Sequence, residues 1–292
     1  MTEPSSLPGG IGVWAGFLDR MPAADAVAAV RDIEYAGLRT IWVQDYSGVD
    51  PFVRATLYLQ ATTNLVVALG VANVHARSAR TMAAAAATLH EAFPGRFLLG
   101  LGVSHTHLID DPTAATAPPL QTMHNYLEAM ASAGRQQSPP YFLGALGPRM
   151  SALAAERTHG LHSYLCPVRH TAVTRALVGA TTWIASTQLV SMEADALEAD
   201  SRVREYLAVC TSMPNYGRNL RRCGFTDHDI DTVSADLVNA LVVADEPAAL
   251  HARLDEHRKA GADHVVIQFV PPPRPATVLA RLCAGLAPVP TR

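Results

Sequence analysis

The stretch "LVVALGVANVHARSAR", residues 65–80, starts as an apolar run and ends in small residues, an amide, an imidazole and two guanidinium groups. A strand buried on one face alternates apolar and polar residues, whereas an uninterrupted apolar run is the pattern of a parallel strand covered on both faces. Ser78 opens the helix that follows, so Asn73, His75 and Arg77 fall at the C-terminal end of the strand. The same pattern recurs along the chain. Apolar runs at 11–14, 40–44, 65–72, 96–103, 141–145, 162–166, 182–190 and 264–270 alternate with helical segments at 22–36, 51–62, 78–92, 120–133 and 148–159. Proline in the first turn (Pro22, Pro51, Pro148) and glycine just past the last (Gly37, Gly134, Gly160) punctuate them as expected. Eight strands in strict β-then-α order predict a (β/α)8 TIM barrel rather than an open sheet. Residues 193–260, with a break at "SMPNYGRN" (212–219), read as extra helices inserted between the seventh and eighth strands of a single domain spanning 1–292.

Composition narrows the chemistry. The 292 residues are 49% apolar and 17% charged with a net charge of −3, which points away from disorder and from a nucleic-acid surface. The opening "MTEPSSLPGG" has no basic flank or apolar stretch and no later run suits a membrane span, so a cytoplasmic protein with a small-molecule partner is expected, and a homodimer is left open. Cys166, Cys210, Cys223 and Cys283 form no CxxC pair, so neither a disulfide nor a structural zinc is expected. Lys259 is the only lysine and lies in "DEHRKAGAD", at the polar end of a helix. A Schiff-base lysine has to be desolvated at the mouth of a site, which makes aldolase and pyridoxal-phosphate chemistry poor fits.

In a barrel the loops after the strands build the site. Gln44, Asp45 and Tyr46 follow the second strand; Asn73, His75 and Arg77 the third; Ser104, His105 and His107 the fourth; and "GALGPRM" (144–150) the fifth. Asp45 has two open readings, facing the site or belonging to the turn into the next helix, for which Asp50 is the better cap. His105-Thr-His107 has the spacing of a zinc pair but follows the fourth strand, where barrel hydrolases use the first, so no metal is expected. "GLGVSH" is no dinucleotide fingerprint, because His105 stands where a glycine is needed. In "GALGPRM", Gly144 and Gly147 permit close backbone approach, Pro148 starts a helix, and the helix N-terminus with Arg149 nearby suits an anion; an ordinary strand-to-helix turn is the competing reading.

Five stretches in order, "TIWVQDYSGVDPF", "LVVALGVANVHAR", "GRFLLGLGVSH", "GALGPRMSALAAERTHG" and "MPNYGRNLRRCGF", resemble the bacterial luciferase-like enzymes, most of all the coenzyme F420-dependent oxidoreductase branch. The resemblance covers nearly the whole chain. It implies a deazaflavin at the C-terminal mouth of the barrel, with a bulge after the third strand carrying a non-proline cis peptide at Gly70–Val71. Gly70, Val71 and Ala72 would buttress the ring, Asn73 would meet its polar edge, and Gly144, Ala145, Leu146 and Gly147 would meet the phosphate. Relatives usually carry glutamate where Asp45 stands, and sugar-phosphate-oxidising ones place a catalytic glutamate where Val103 stands. The expected function is hydride exchange between coenzyme F420 and a small organic substrate, with His105, then His75, handling the proton. The alternatives are an FMN-dependent monooxygenase and a cofactor-binding protein without turnover.

Overall fold

The computed structural model describes residues 7–45, 48–104, 117–133, 139–192 and 196–284. Along the chain, β1 (Gly10–Trp14) leads through a short 3-10 turn (Gly16–Arg20) to α1 (Ala23–Tyr35), β2 (Thr40–Val43), α2 (Pro51–Ala61), β3 (Val66–Leu69), β4 (Ala72–Asn73) and α3 (Ala79–Ala92). Then follow β5 (Phe97–Gly102), α4 (Pro119–Ala133), β6 (Tyr141–Gly144), α5 (Pro148–Arg157), β7 (Gly160–Ser163), α6 (Val168–Val178) and β8 (Trp183–Ser191). The inserted helices are α7 (Ala196–Thr211), α8 (Pro214–Arg222), α9 (Asp227–Thr232) and α10 (Ala235–Leu241). The chain closes with β9 (Val242–Ala244), α11 (Pro247–Lys259), β10 (His264–Phe269) and α12 (Pro275–Cys283).

Strands β1, β2, β3, β5, β6, β7, β8 and β10 pair in parallel, and β10 pairs back onto β1, which closes an eight-stranded barrel. The helices start where the caps say they should. Asp50 Oδ1 accepts from the Phe52 and Val53 N–H groups at 2.9 and 3.0 Å, and Ser78 Oγ accepts from Thr81 N–H at 3.2 Å. Gly37 closes α1 at φ +92°, a conformation that L side chains rarely adopt.

The Gly70–Val71 peptide is cis, as the resemblance implies, and it splits the third strand: β3 stops at Leu69 and β4 resumes beside β5. Two other sequence expectations are revised. The strand expected at 162–166 sits two residues earlier as β7, because Gly160 ends no helix but starts the strand. A Cβ there would meet the Trp183 carbonyl oxygen at 2.2 Å, so the glycine is required by close strand approach, and Leu165, at φ +55°, lies beyond the strand in the left-handed region. The segment 193–260 is not all inserted helix. The β9 strand continues the sheet on β8, pairing Leu189–Ser191, while β7 takes residues 183–186 of the same strand; α11 packs as a layer helix against α6 and β10.

Buried side chains form three clusters: one between sheet and helices, one within the insert around Val203, Leu207, Leu220, Leu237 and Leu241, and one inside the barrel. The barrel interior is aromatic and polar but uncharged. Trp42 stacks on Trp183 with centroids 6.3 Å apart and donates to His264 Nε2 at 3.2 Å, while His264 Nδ1 donates to the Gly9 carbonyl at 3.2 Å. A Cβ on Gly12 would lie 2.5 Å from His264 Nε2, so glycine makes room for that pair. His162 Nε2 bonds Thr187 Oγ1 at 2.7 Å. Burial holds His264 down at about 4, and burial with the neighbouring His264 holds His162 at about 3, so both rings are neutral. No helix among the described residues is long and apolar enough to cross a membrane.

Candidate functional site

The strand ends surround a cavity of about 410 Å³ that opens at the C-terminal face of the barrel. Its floor comes from the interrupted third strand. Gly70 and Val71 line it, with Gly102 at the end of β5 and Gly144 at the end of β6. A Cβ on Gly102 would meet Val71 Cγ2 at 2.3 Å, and one on Gly144 would meet both Val71 methyls at 3.5 Å. The Val71 side chain therefore lies against Gly102, where only glycine leaves it room, and within ordinary van der Waals range of the Gly144 position. Gly100, two residues before Gly102, admits the Leu69 carbonyl, which a Cβ would meet at 2.1 Å. This "GLG" pair on β5 signals close approach, by the Leu69 backbone at Gly100 and by the Val71 side chain at Gly102, which strand patterning alone passes over.

One wall comes from β1 and β2. Trp14 Nε1 donates to Gln44 Oε1 at 3.0 Å, and Gln44 Nε2 donates to Asp19 Oδ2 at 3.1 Å, which fixes which way the Gln44 amide points. Burial pushes Asp19 up to about 6 against the opposing Gln44 bond and Arg54 charge. Asp45 faces the cavity rather than capping α2. Its Oδ2 accepts from Asn73 N–H at 2.9 Å, and burial raises its pKa despite that bond and the nearby Arg77. Asn73 also lines the cavity, but its Oδ1 accepts from His75 N–H at 3.0 Å, so Nδ2 is its spare hydrogen-bonding group.

The β6–α5 turn forms the next part of the rim. Gly144, Ala145 and Leu146 line the cavity, and Gly147 caps α5 without a side-chain acceptor, leaving the first-turn amides free for an anion. His170 Nε2 donates to the Leu146 carbonyl at 3.0 Å, which pins the turn. The Arg222 guanidinium, from the last turn of α8, lies 3.5 Å from the point a Gly147 Cβ would occupy. The sequence expectation places a charge near this turn on Arg149, which is exposed and off the cavity wall; Arg222 is 75 residues from Gly147 in sequence, within the stretch "MPNYGRNLRRCGF" that carries the resemblance.

The remaining wall is built by residues that local patterning did not single out. Tyr164 after β7, Tyr206, Val209 and Cys210 on α7, Met213, Asn215 and Tyr216 around the start of α8, and Gln268 on β10 complete the lining. Of the expected site residues, the fold brings together Gln44, Asp45, Gly70, Val71, Asn73, Ser104, Gly144, Ala145 and Leu146. Ala72 is instead buried in the sheet–helix layer, because β4 turns its side chain into the core, and His75 lies beyond the cavity wall, where its backbone serves Asn73. Gly147 and Arg149 stand outside the lining at the outer edge of the turn. His105 and His107 lie outside the described residues, as does Tyr46. Val103 lines the cavity with a valine side chain and puts no carboxylate there.

Comparison with known proteins places this arrangement. The profile of the luciferase-like monooxygenase family matches residues 4–264. A Mycobacterium tuberculosis (strain ATCC 25618 / H37Rv) protein whose name proposes coenzyme F420-dependent oxidoreductase activity is 26% identical over 162 residues, 55% of this chain and 46% of its own length. The match thus spans less than half of that curated relative. Among solved structures, the coenzyme F420-dependent tetrahydromethanopterin reductase of Methanopyrus kandleri superposes with a TM-score of 0.73 at 17% identity, covering 95% of this chain and 97% of that one. The oxygenating constituent of 3,6-diketocamphane monooxygenase from Pseudomonas putida, a type II Baeyer-Villiger enzyme in complex with FMN, superposes at 0.69 with 12% identity, covering 94% and 96%. At these identities the two structures speak for the fold.

Proposed function

The chain belongs to the luciferase-like monooxygenase family, and from that premise we propose that it is a coenzyme F420-dependent oxidoreductase that exchanges hydride between the deazaflavin and a small organic substrate. The observation that carries this reading is the Val71 ridge seated against Gly102: a smooth apolar floor, kept clear by that glycine, under a cavity with an anion-accepting turn at its rim. The residues present suit a flat ring with a phosphate arm. Gly70 and Val71 would support the ring, Asn73 Nδ2 would meet its polar edge, and the Gly144–Gly147 turn with Arg222 would hold the phosphate. The curated relative in Mycobacterium tuberculosis supports the deazaflavin over FMN.

A bound reduced deazaflavin supplies hydride from its C5 carbon; the protein supplies orientation and the accompanying proton. Asp45 is the one carboxylate among the described lining residues. With Oδ2 held by the Asn73 N–H and its pKa raised by burial, it can carry a proton on Oδ1. His105, which follows β5 in the sequence and lies outside the described residues, is the other group proposed for the proton. Calorimetric titration with F420 and FMN, followed by stopped-flow oxidation of the reduced cofactor against a substrate panel, tests the proposal. Tighter binding of F420 with substrate-dependent oxidation is expected. Asp45→Asn and His105→Asn should lower turnover and leave the cofactor Kd nearly unchanged, as when an interaction matters mainly in the transition state. Tighter FMN binding with oxygen consumption would replace this reading with a monooxygenase, and tight F420 binding without turnover would favour a cofactor-binding protein.

A further inference from the structure

The wall contributed by β7, α7 and β10 has a chemistry of its own. Tyr164 Oη and Tyr206 Oη lie 2.5 Å apart, and Gln268 Nε2 donates to Tyr206 Oη at 3.0 Å. Trp14 and Tyr216 flank the pair, with ring centroids 5.6 and 5.8 Å from that of Tyr164. All five residues line the cavity.

Count the protons. The two phenols carry two, and one lies between the two oxygens. If Tyr164 donates it, the Tyr206 proton turns elsewhere; if Tyr206 donates it, the Tyr164 proton is free for an acceptor in the cavity. Gln268 donates to Tyr206 in both arrangements, so an acceptor in the cavity would select the second, in which each hydrogen bond polarises the next. Gln268 Oε1 is buried without a hydrogen-bond partner, so the polar groups of this wall are not closed on themselves.

Charge decides what kind of acceptor fits. No arginine or lysine lines the cavity among the described residues, and its one carboxylate is Asp45. Burial raises the pKa of Tyr164 and Tyr206 and pushes Cys210 up to about 11, so this wall offers neutral hydroxyl and thiol groups at physiological pH. An anion placed there would lose its water and gain no counter-charge, a cost that a neutral oxygen avoids. The guanidinium of Arg222 is spent at the other end, beside Gly147.

We propose that Tyr164, backed by Tyr206 and Gln268, is the specificity-determining contact for an uncharged carbonyl compound, and that the cavity rejects carboxylate and phosphate substrates. This inference rests on the oxidoreductase reading for its purpose, but binding alone tests it. Cofactor-loaded and unloaded protein would each be titrated calorimetrically with two matched pairs of probes, acetophenone with benzoate and cyclohexanone with cyclohexanecarboxylate. The ketones should bind at least about tenfold more tightly than their carboxylates. Tyr164→Phe should weaken ketone binding by about five- to tenfold, the loss of one hydrogen bond, and leave carboxylate binding and the cofactor Kd unchanged. Tyr206→Phe, the second variant, should weaken ketone binding by a smaller factor, since it removes only the supporting bond. Carboxylates binding as tightly as ketones, no ketone binding, or ketone binding unchanged in both variants would overturn the assignment. Failure of both F420 and FMN to bind would instead remove the oxidoreductase reading, while the effect of Tyr164→Phe on ketone binding to the unloaded protein would still decide the role of Tyr164.

Discussion

The two halves of the cavity are built by different means. From β1 to β6 the wall and floor come from residues at or just past a strand end: Trp14, Gln44, Asp45, Val71, Gly102 and Gly144. Toward β7 and β10 most of the wall comes from α7 and α8, helices that an ordinary barrel lacks. The first half is set by close approach of strands, tightest at Gly70, Gly100 and Gly102; the second is set by side chains on helices and can change without disturbing the ring of strands. A cofactor shared across a family suits the first kind of construction, and a substrate particular to one member suits the second.

The largest expected effect separates the halves by pH. The ring of strands beneath the cavity stands on His162 of β7 and His264 of β10, buried and neutral, with native pKa values of about 3 and about 4. A histidine depressed from its ordinary value near 6.5 contributes stability that is complete above that value and is lost as pH falls toward the native pKa. With each worth on the order of 3 kcal/mol or more, acid unfolding should be cooperative with a midpoint between roughly pH 4 and 6. The insert wall has the opposite liability. Cys210 is raised from 9.0 to about 11 and Tyr206 is raised by burial, so the stability they contribute is complete below their unfolded values and is lost as pH climbs through the native ones. Circular dichroism with tryptophan and tyrosine absorbance across pH 3–12 would follow both edges, and a molecule equally stable at pH 4 and pH 7 would break the contrast.

Gly102→Ala comes next. The added methyl must displace Val71, whose Cγ2 lies 2.3 Å from the new Cβ, so cofactor affinity should fall by about tenfold or more with a loss of about 1–3 kcal/mol in stability. Calorimetry and a thermal melt measure the two terms. Gly147→Asp and Arg222→Gln should each weaken cofactor binding by about three- to tenfold, the first by placing bulk and negative charge at the α5 N-terminus and the second by removing a cation. Both losses should shrink in high salt, and salt-independent losses would move the phosphate elsewhere. The smallest effect belongs to the inserted wall. Val209 is 64% exposed at the cavity mouth, so Val209→Ser should change stability by less than about 0.5 kcal/mol and cofactor affinity by less than about twofold, while shifting KM for substrate.

The same division governs what the sequence disclosed. The barrel was legible because its strands are continuous apolar runs and its helices carry their own punctuation, both local signals. Asp45 and the turn at Gly144–Leu146 were legible as candidates because each directly follows a strand, and the floor at Gly70–Val71 through the family resemblance. Tyr206, Gln268 and Arg222 were not, because hydrophobic period tells which face of a helix is buried and not where that helix lands. Gly160 shows the same limit in miniature: a glycine after a helix reads as a stop, and only the Trp183 backbone beside it reveals a strand start.

The fastening of β9 carries a mechanical consequence. Its three residues are zipped to the upper edge of β8, Gln188 Nε2 grips the Leu241 carbonyl at 3.0 Å, and Asp245 ties the strand's end to Ser191 through its N–H at 2.8 Å and to Arg281 of α12 at 2.7 Å. The inserted helices are therefore bolted to the frame at their C-terminal end, as a door jamb is and a door is not. Hydrogen exchange at Val242–Ala244 should accordingly be as slow as in the barrel itself, whether or not anything is bound.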